Sequence, residues 1–120
     1  MSTGNTTLFP VDFHASEDFD FCCGDCGRNV KRAVTLTDGK IRGLDCAATV
    51  MGRTKSKRTY DAIEVDARTE SARIAARAYT TALPKPARSC PEYANYMAAA
   101  RAACPYLGNS LEWHAFMGAL

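Results

Sequence analysis

Three cysteines constrain the fold of this 120-residue chain more than any other feature of its sequence. Cys23 and Cys26 belong to a C-x2-C-G unit, and Cys46 follows 20 residues after Cys26. The first spacing lets two thiolates converge on one ion across a tight turn, in which Gly27 tolerates the positive φ that such turns need. Thiolates are preferred ligands of Zn²⁺. The pattern therefore predicts a zinc site built on these three cysteines.

The six cysteines favour metal binding over a disulfide scaffold. Residues 1–7 are polar and lack the basic and apolar regions of a secretory signal, and no apolar run is long enough to span a membrane. Disulfide frameworks are typical of secreted domains, whereas clustered cysteines in a reducing compartment are more often metal ligands. We therefore expect a cytoplasmic protein that does not contact membranes.

Composition limits the size of the core and the class of function. Hydrophobic residues make up 47% of the chain, but many of them are alanines, which bury little area. A structural metal would stabilise a core of this kind. The net charge is only +2, from 15 basic and 13 acidic residues, so it does not mark a dedicated nucleic-acid binder. We expect a single domain over residues 1–120, β-rich over 1–52 and helical over 59–120.

Strands and a hairpin are predicted in the β-rich part. Alternating apolar residues before the cysteines predict short extended segments, and Pro10 indicates an edge strand. Asp38-Gly39 between two apolar runs predicts a β-hairpin. Asp45 is then expected to cap a short helix over residues 46–51 that stops at Gly52. Cys46 lies in the first turn of that helix, where the helix dipole is expected to lower the pKa of its thiol.

A basic linker, residues 53–58, leads to the first of three predicted helices. Ile63 and Val65 alternate with acids, which favours a short strand or turn. Thr69 is expected to cap a helix that ends at about Leu83, with Arg68, Arg73 and Arg77 pointing outward. Its predicted buried stripe consists of Ile74, Ala75, Ala78, Ala82 and Leu83.

Capping signals predict the other two helices. Ser89 and Glu92 have the spacing of a capping box, and the helix after them should run to Cys104, because Pro105 disfavours helical backbone in the residue before it. Ser110 opens a last short helix.

The two cysteine half-motifs, CGDCGR from Cys23 and GLDCAA from Gly43, resemble those of small zinc-binding proteins encoded by bacteriophages and bacteria. Their pattern is C-x2-C-G-R/K, a hairpin, then G-x-x-C-A, and the resemblance covers residues 21–50. It implies a treble-clef-like zinc knuckle and a phage or mobile-element origin, but no reaction. The expected fold class is α+β, with this knuckle and a β-hairpin followed by a three-helix C-terminal half.

A closed zinc site needs a fourth ligand. A treble clef takes it three residues after the helix cysteine, where this chain has Thr49. We prefer His14 to Cys22, because the segment with His14 could fold back over the knuckle, whereas neighbours such as Cys22 and Cys23 rarely face the same ion. The full set of candidates is His14, Cys22, Asp45, Cys90, Cys104 and His114.

Other interpretations of the cysteines stay open. Cys23, Cys26 and Cys46 could be reduced core residues, and the C-x2-C unit superficially resembles a thioredoxin-type redox motif, although no strand–helix context frames it. Cys90 and Cys104 are typical of small core residues.

Three classes of function are compatible with such a site. The first is a protein-interaction module with structural zinc; the resemblance implies a host enzyme or defence complex as the partner to be modulated or inhibited. Its candidate contact residues are Tyr93, Tyr96, Trp113 and Phe116. The second is a DNA- or RNA-binding finger that uses Arg28, Lys31, Arg32, Arg53, Lys55, Lys57 and Arg58. The third is a zinc enzyme, for which an open fourth position is the only support; no catalytic residues are assigned.

Overall fold

The computed structural model describes residues 8–120, so the N-terminal stretch considered above lies outside the described residues. It shows a mixed α+β fold with a three-stranded and a two-stranded antiparallel sheet and four helices in this part of the chain, which confirms the predicted class. The elements are β1 (Pro10–Ala15), β2 (Phe21–Cys22), β3 (Asn29–Val30), β4 (Arg32–Leu36), β5 (Ile41–Gly43), α1 (Leu44–Val50), α2 (Lys57–Ala82), α3 (Glu92–Ala103) and α4 (Leu111–Gly118).

The chain divides into two compact units. The first ends at Arg68 and the second is Thr69–Leu120, so that α2 begins in the first unit and ends in the second. The expected single domain over residues 1–120 stays a prediction.

The larger sheet of the first unit has the order β1-β4-β5. β1 lies at an edge, as Pro10 predicts, because proline has no N–H to donate to a second neighbour. β4 and β5 form the predicted antiparallel hairpin, with Val34 opposite Arg42. Asp38-Gly39 makes its turn, and Gly39 has a φ of +81°. The local hairpin signal is thus confirmed, and β5 leads directly into α1.

One apolar core holds α1 against the sheet. Val34 and Leu36 alternate along β4 and point into this core, where both are fully buried. They pack with Ile63 of α2 and with the alanines Ala47 and Ala48 of α1, whose small side chains let the helix approach closely. Burial of each large aliphatic side chain contributes about 1.5–3 kcal/mol. This packing fixes the helix that carries Cys46.

The predicted limits of α1 are partly wrong. The helix begins at Leu44 with Gly43 as its N-cap, whereas Asp45 lies in the first turn. The Asp45 carboxylate accepts a hydrogen bond from the Cys46 backbone N–H at 2.9 Å, one residue too close for a cap. The helix ends before Gly52, as predicted.

The prediction for the start of α2 is wrong. The helix begins at Lys57, not at Thr69, and it includes the segment predicted as a strand or turn. The Ser56 hydroxyl accepts a hydrogen bond from the Thr59 N–H at 3.2 Å, which satisfies one of the free donors at the helix start. Ile63 and Ala67, four residues apart, form its buried face in this unit.

The predicted stripe of the later part of α2 is also displaced. Ala72 and Ala76 are buried, whereas Ile74 and Leu83 are exposed. Glu70 pairs with the exposed Arg73 and Arg77, in line with their predicted outward direction. Charge pairing and the small buried alanines therefore define the face, rather than the largest apolar side chains.

The second unit closes around an aromatic cluster. Phe116 packs on Ala72 and Ala76, and its ring meets those of Tyr79 and Tyr106 edge-on at centroid distances of 6.3 and 6.2 Å. These three buried residues and the two aromatic pairs form its core.

The ends of α3 and α4 test the capping predictions. The predicted Ser89 cap does not form, because Pro91 occupies the N-cap position and no side chain caps α3. The same helix ends before Cys104, where the backbone is extended as expected ahead of a proline. The Ser110 hydroxyl accepts from the Trp113 N–H and caps α4 as predicted.

Candidate metal centre

Three sulfur atoms meet in the first unit. The Sγ atoms of Cys23, Cys26 and Cys46 all lie within 4.8 Å of one another. Sulfurs that share one tetrahedral zinc at about 2.3 Å are about 3.8 Å apart, so a small side-chain adjustment would place all three on one ion. Cys23 is buried, Cys46 is half-buried and Cys26 is exposed, so the group opens to solvent on one side. The donor set fits a thiophilic metal.

A tight loop, residues 23–27, carries the first two sulfurs; we call it the knuckle. The Cys23 N–H donates to the Arg28 carbonyl at 2.8 Å, and the Gly27 N–H donates to the Cys23 carbonyl at 2.9 Å. Gly27 has a φ of +75°, as predicted. The β2–β3 ladder continues the pairing directly outside this loop. The knuckle is therefore held closed by backbone hydrogen bonds.

The knuckle lies against the β4–β5 hairpin at Gly24. Its N–H donates to the Ile41 carbonyl at 2.7 Å. A Cβ at this position would stand 2.8 Å from Lys40 Cγ and 2.9 Å from the Ile41 oxygen, which is closer than side chains tolerate. Glycine is thus required for the approach. Because β5 runs directly into α1, the same contact brings the knuckle to Cys46.

The surroundings shift the thiol pKa values in opposite directions. The Arg28 backbone N–H, followed by its guanidinium, lowers the pKa of the Cys26 thiol to about 7. Burial and the neighbouring sulfurs raise the pKa of Cys46, so the predicted lowering by the helix dipole is wrong. A helix of seven residues has a weak dipole, and desolvation outweighs it here. A bound cation would favour the thiolates at all three positions.

The structure does not bring the candidate fourth ligands into this group. His14 lies on β1, where its Nε2 is 2.9 Å from Thr35 Oγ1 and its ring contacts Phe21. The Cys22 sulfur is 3.5 Å from the Gly27 carbonyl oxygen. Within residues 8–120 the group contains the three cysteines, without Asp45, Cys90, Cys104 or His114. Both the preference for His14 and the identity of the fourth ligand therefore stay predictions.

Several cations predicted to contact nucleic acid have local partners. Arg28 pairs with Asp45 at 3.3 Å, a carboxylate beside the cluster. In the same way Arg32 pairs with Glu64 at 3.3 Å and Lys57 with Asp61 at 3.0 Å. Lys31 lies over the Phe19 ring at 4.8 Å. The remaining predicted cations, Arg53, Lys55 and Arg58, are exposed.

The aromatic residues predicted to bind a partner differ in exposure. Tyr93, Tyr96 and Trp113 are half-buried. Phe116 is only 3% exposed and belongs to the core of the second unit. The prediction that Phe116 contacts a partner is therefore wrong. The phenolic O–H of Tyr96 donates to the Leu83 carbonyl at 2.5 Å.

An ion-pair network beside the knuckle is absent from the sequence-based predictions. The Arg42 guanidinium, nearly buried in β5, contacts the carboxylates of Asp25 and Asp38. The sequence carries only a weak signal for this network. Side chains in a strand point to alternate faces, so Arg42 faces the opposite side of β5 from Ile41 and Gly43, and one of the two faces must be buried. An acid in the C-x2-C loop is otherwise expected to face solvent.

Comparisons with protein-family models, with curated proteins and with solved structures found no match to this chain. None of the helices in the described part has the length and apolar character needed to cross a membrane.

Proposed function

We propose that the chain is a small zinc-binding accessory protein in which Cys23, Cys26 and Cys46 hold a structural Zn²⁺. The convergence of their three sulfurs within 4.8 Å is the observation that carries this proposal. The order of knuckle, β4–β5 hairpin and helix-borne cysteine supports a treble-clef-like site. Zinc is preferred because thiolate sets suit it and because it needs no redox partner.

The accessory role rests on recognition of a protein partner. Large apolar side chains are exposed in the second unit, including Leu107 at 83% and Leu83 at 53%. Half-buried Tyr93, Tyr96 and Trp113 combine apolar surface with a polar group, as residues at interfaces do. With the phage or mobile-element origin that the cysteine motifs imply, the partner would be a host protein or complex whose activity the chain modulates in the cytoplasm.

Nucleic-acid binding is less well supported. Three of the seven predicted cations already pair with carboxylates, which reduces the charge they offer to phosphates. A zinc enzyme would use water as the fourth ligand beside the three thiolates. Neither alternative has a second observation in its favour.

The metal site is tested by metal content after purification without added metal. We expect one zinc per chain in the parent and in the control variant Leu107→Ser, which changes an exposed side chain that cannot bind the ion. Cys23→Ser, Cys26→Ser and Cys46→Ser should each lose zinc and unfold at lower temperature, since structural zinc contributes folding free energy. A metal-free parent with three equally stable variants would overturn the site.

The partner role needs a separate experiment. Tagged protein should capture a stoichiometric host protein from a nuclease-treated lysate, and the complex should persist at high salt. Trp113→Ala should weaken capture without loss of zinc. Binding to nucleic acid that falls steeply with salt would instead support the alternative function.

A further inference from the structure

Arg42 is a charged side chain in an unusual place. It lies on β5 and is only 4% exposed. Its Nε donates to Asp25 Oδ2 at 2.7 Å, while Nη1 and Nη2 donate to the two oxygens of Asp38 at 3.1 and 2.8 Å. Burial of a guanidinium is tolerated only where carboxylates occupy its donors in good geometry. The protein maintains this costly arrangement beside the three cysteines.

The position of Arg42 in the chain links both halves of the cysteine group. Asp25, which it contacts, lies between Cys23 and Cys26 in the knuckle. Arg42 itself lies four residues before Cys46, in the strand that runs without a loop into α1. One side chain therefore joins the segment with two of the sulfurs to the segment with the third.

The other contacts fix the orientation of this link. Asp38 binds the guanidinium in a two-pronged pair that sets its plane. Lys40 Nζ holds the second oxygen of Asp25 at 2.8 Å, so both oxygens of that carboxylate are engaged. Two cations face two carboxylates, and the charge of the network is balanced without any metal ion.

We infer that Arg42 is a positioning residue for the metal centre: through Asp25 it holds the knuckle where the sulfurs of Cys23 and Cys26 meet that of Cys46. This inference rests on the proposed zinc site. Outer groups that orient ligands typically change metal affinity by 10–100-fold when they are removed. The network acts by lowering the reorganisation that binding requires, which is a preorganisation effect.

The test compares zinc affinities by competition with a chromophoric chelator. Asp25→Asn and Arg42→Met should each weaken zinc binding about 10–100-fold. Arg32→Met is the matched control. Arg32 lies on β4, the strand next to β5, and it pairs with Glu64 of α2 and not with the knuckle. Its affinity should stay within about threefold of the parent value. Equal affinity in the parent, Asp25→Asn and Arg42→Met would overturn the inference while the zinc site stands.

The cobalt-substituted protein supplies a readout that fold stability alone does not move. The intensity of its thiolate-to-cobalt absorption should stay at the value for three sulfurs in Asp25→Asn, while the ligand-field bands shift as the knuckle changes orientation. If Asp25→Asn has unchanged ligand-field bands and binds the ion as tightly as the parent, Arg42 does not position the knuckle. If the parent binds neither zinc nor cobalt, the proposed function fails first, and the inference fails with it.

A double variant tests the route through Asp25. If Arg42 acts on the metal through that carboxylate, Asp25→Asn/Arg42→Met should lose no more affinity than the weaker-binding single variant. Multiplied losses would show that Arg42 does not act through Asp25. Should Arg42→Met fail to fold, Arg42→Lys takes its place: it retains the charge but not the two-pronged contact, and it should bind zinc more weakly than the parent.

Discussion

The contact between Gly24 and β5 gives the sharpest prediction about the metal site. In Gly24→Ala the new methyl would stand 2.9 Å from the Ile41 oxygen and 2.8 Å from Lys40 Cγ, against 3.4 Å or more for an ordinary contact. The Lys40 side chain can shift, but the Ile41 oxygen belongs to the backbone of a paired strand and cannot yield in the same way. The knuckle must therefore retreat from the strand by about half an ångström, at the expense of the 2.7 Å hydrogen bond at this point.

The magnitude follows from the cost of overpacking. An inserted methyl in a tight site typically costs about 1–3 kcal/mol. The metal-free protein can relieve most of this by moving the knuckle, whereas the zinc-bound protein cannot, since one ion ties Cys23 and Cys26 to Cys46. The cost therefore appears as lost zinc affinity of roughly 5- to 150-fold, at about 1.4 kcal/mol per factor of ten.

Gly39→Ala is the matched control, at the turn of the same hairpin. A Cβ there meets nothing within 4 Å, but φ is +81°, so the substitution costs about 1–2 kcal/mol of fold stability. Chelator competition should show unchanged zinc affinity for this variant, and thermal unfolding should show the lost stability. Parent-like zinc affinity in Gly24→Ala would refute the reasoning that the contact positions the knuckle.

Three further predictions concern protonation and packing. Because the pKa of Cys26 is about 7, zinc binding must displace one more proton at pH 6 than at pH 8. The apparent zinc affinity, measured by chelator competition at each pH, should therefore fall more steeply below pH 7, by one additional proton per ion. A pH dependence of constant slope from pH 8 to 6 contradicts this prediction. The Arg42 guanidinium and the Lys40 N–H lower the pKa of Asp38 from 3.8 to about 2. The contribution of Asp38 to stability is therefore present above pH 4 and lost as pH falls towards 2. In acid titrations without metal, Asp38→Asn should lose less stability over that range than the parent does. Phe116→Ala should destabilise the second unit by about 3–5 kcal/mol in denaturant unfolding and leave zinc content unchanged, whereas loss of zinc would show that the two are coupled.

The features that the sequence predicted well are those that a few adjacent residues determine. The C-x2-C-G loop, the Asp38-Gly39 hairpin and the Ser110 cap each depend on backbone geometry within one turn. Convergence of Cys46 with the knuckle was predicted because helix and hairpin follow each other closely. The raised pKa of the Cys46 thiol was not predicted, because desolvation depends on the packing of α1 against the sheet.

The start of α2 shows a different kind of failure. Ile63 and Val65 suggest alternation, but only Ile63 is buried, and Ala67 completes its face one helical turn later. An alanine carries little hydrophobic signal, so the helical period is hidden in a sequence that uses alanine as its core residue. Arg42 was missed for a related reason: its partners Asp25 and Asp38 come from separate segments, and only the folded chain places them together.

The distribution of large side chains shows where a metal would matter most. Among the described residues, the largest that are fully buried are Leu36, Ile63, Val34 and Cys23, all in the first unit. A cysteine thus occupies a core position, where a thiol alone packs like a small apolar group. The second unit has Phe116 and its aromatic neighbours instead. Ligation would tie this buried residue of the knuckle to Cys46 on α1, so the stabilisation from a bound ion should fall on the first unit, which contains all three sulfurs.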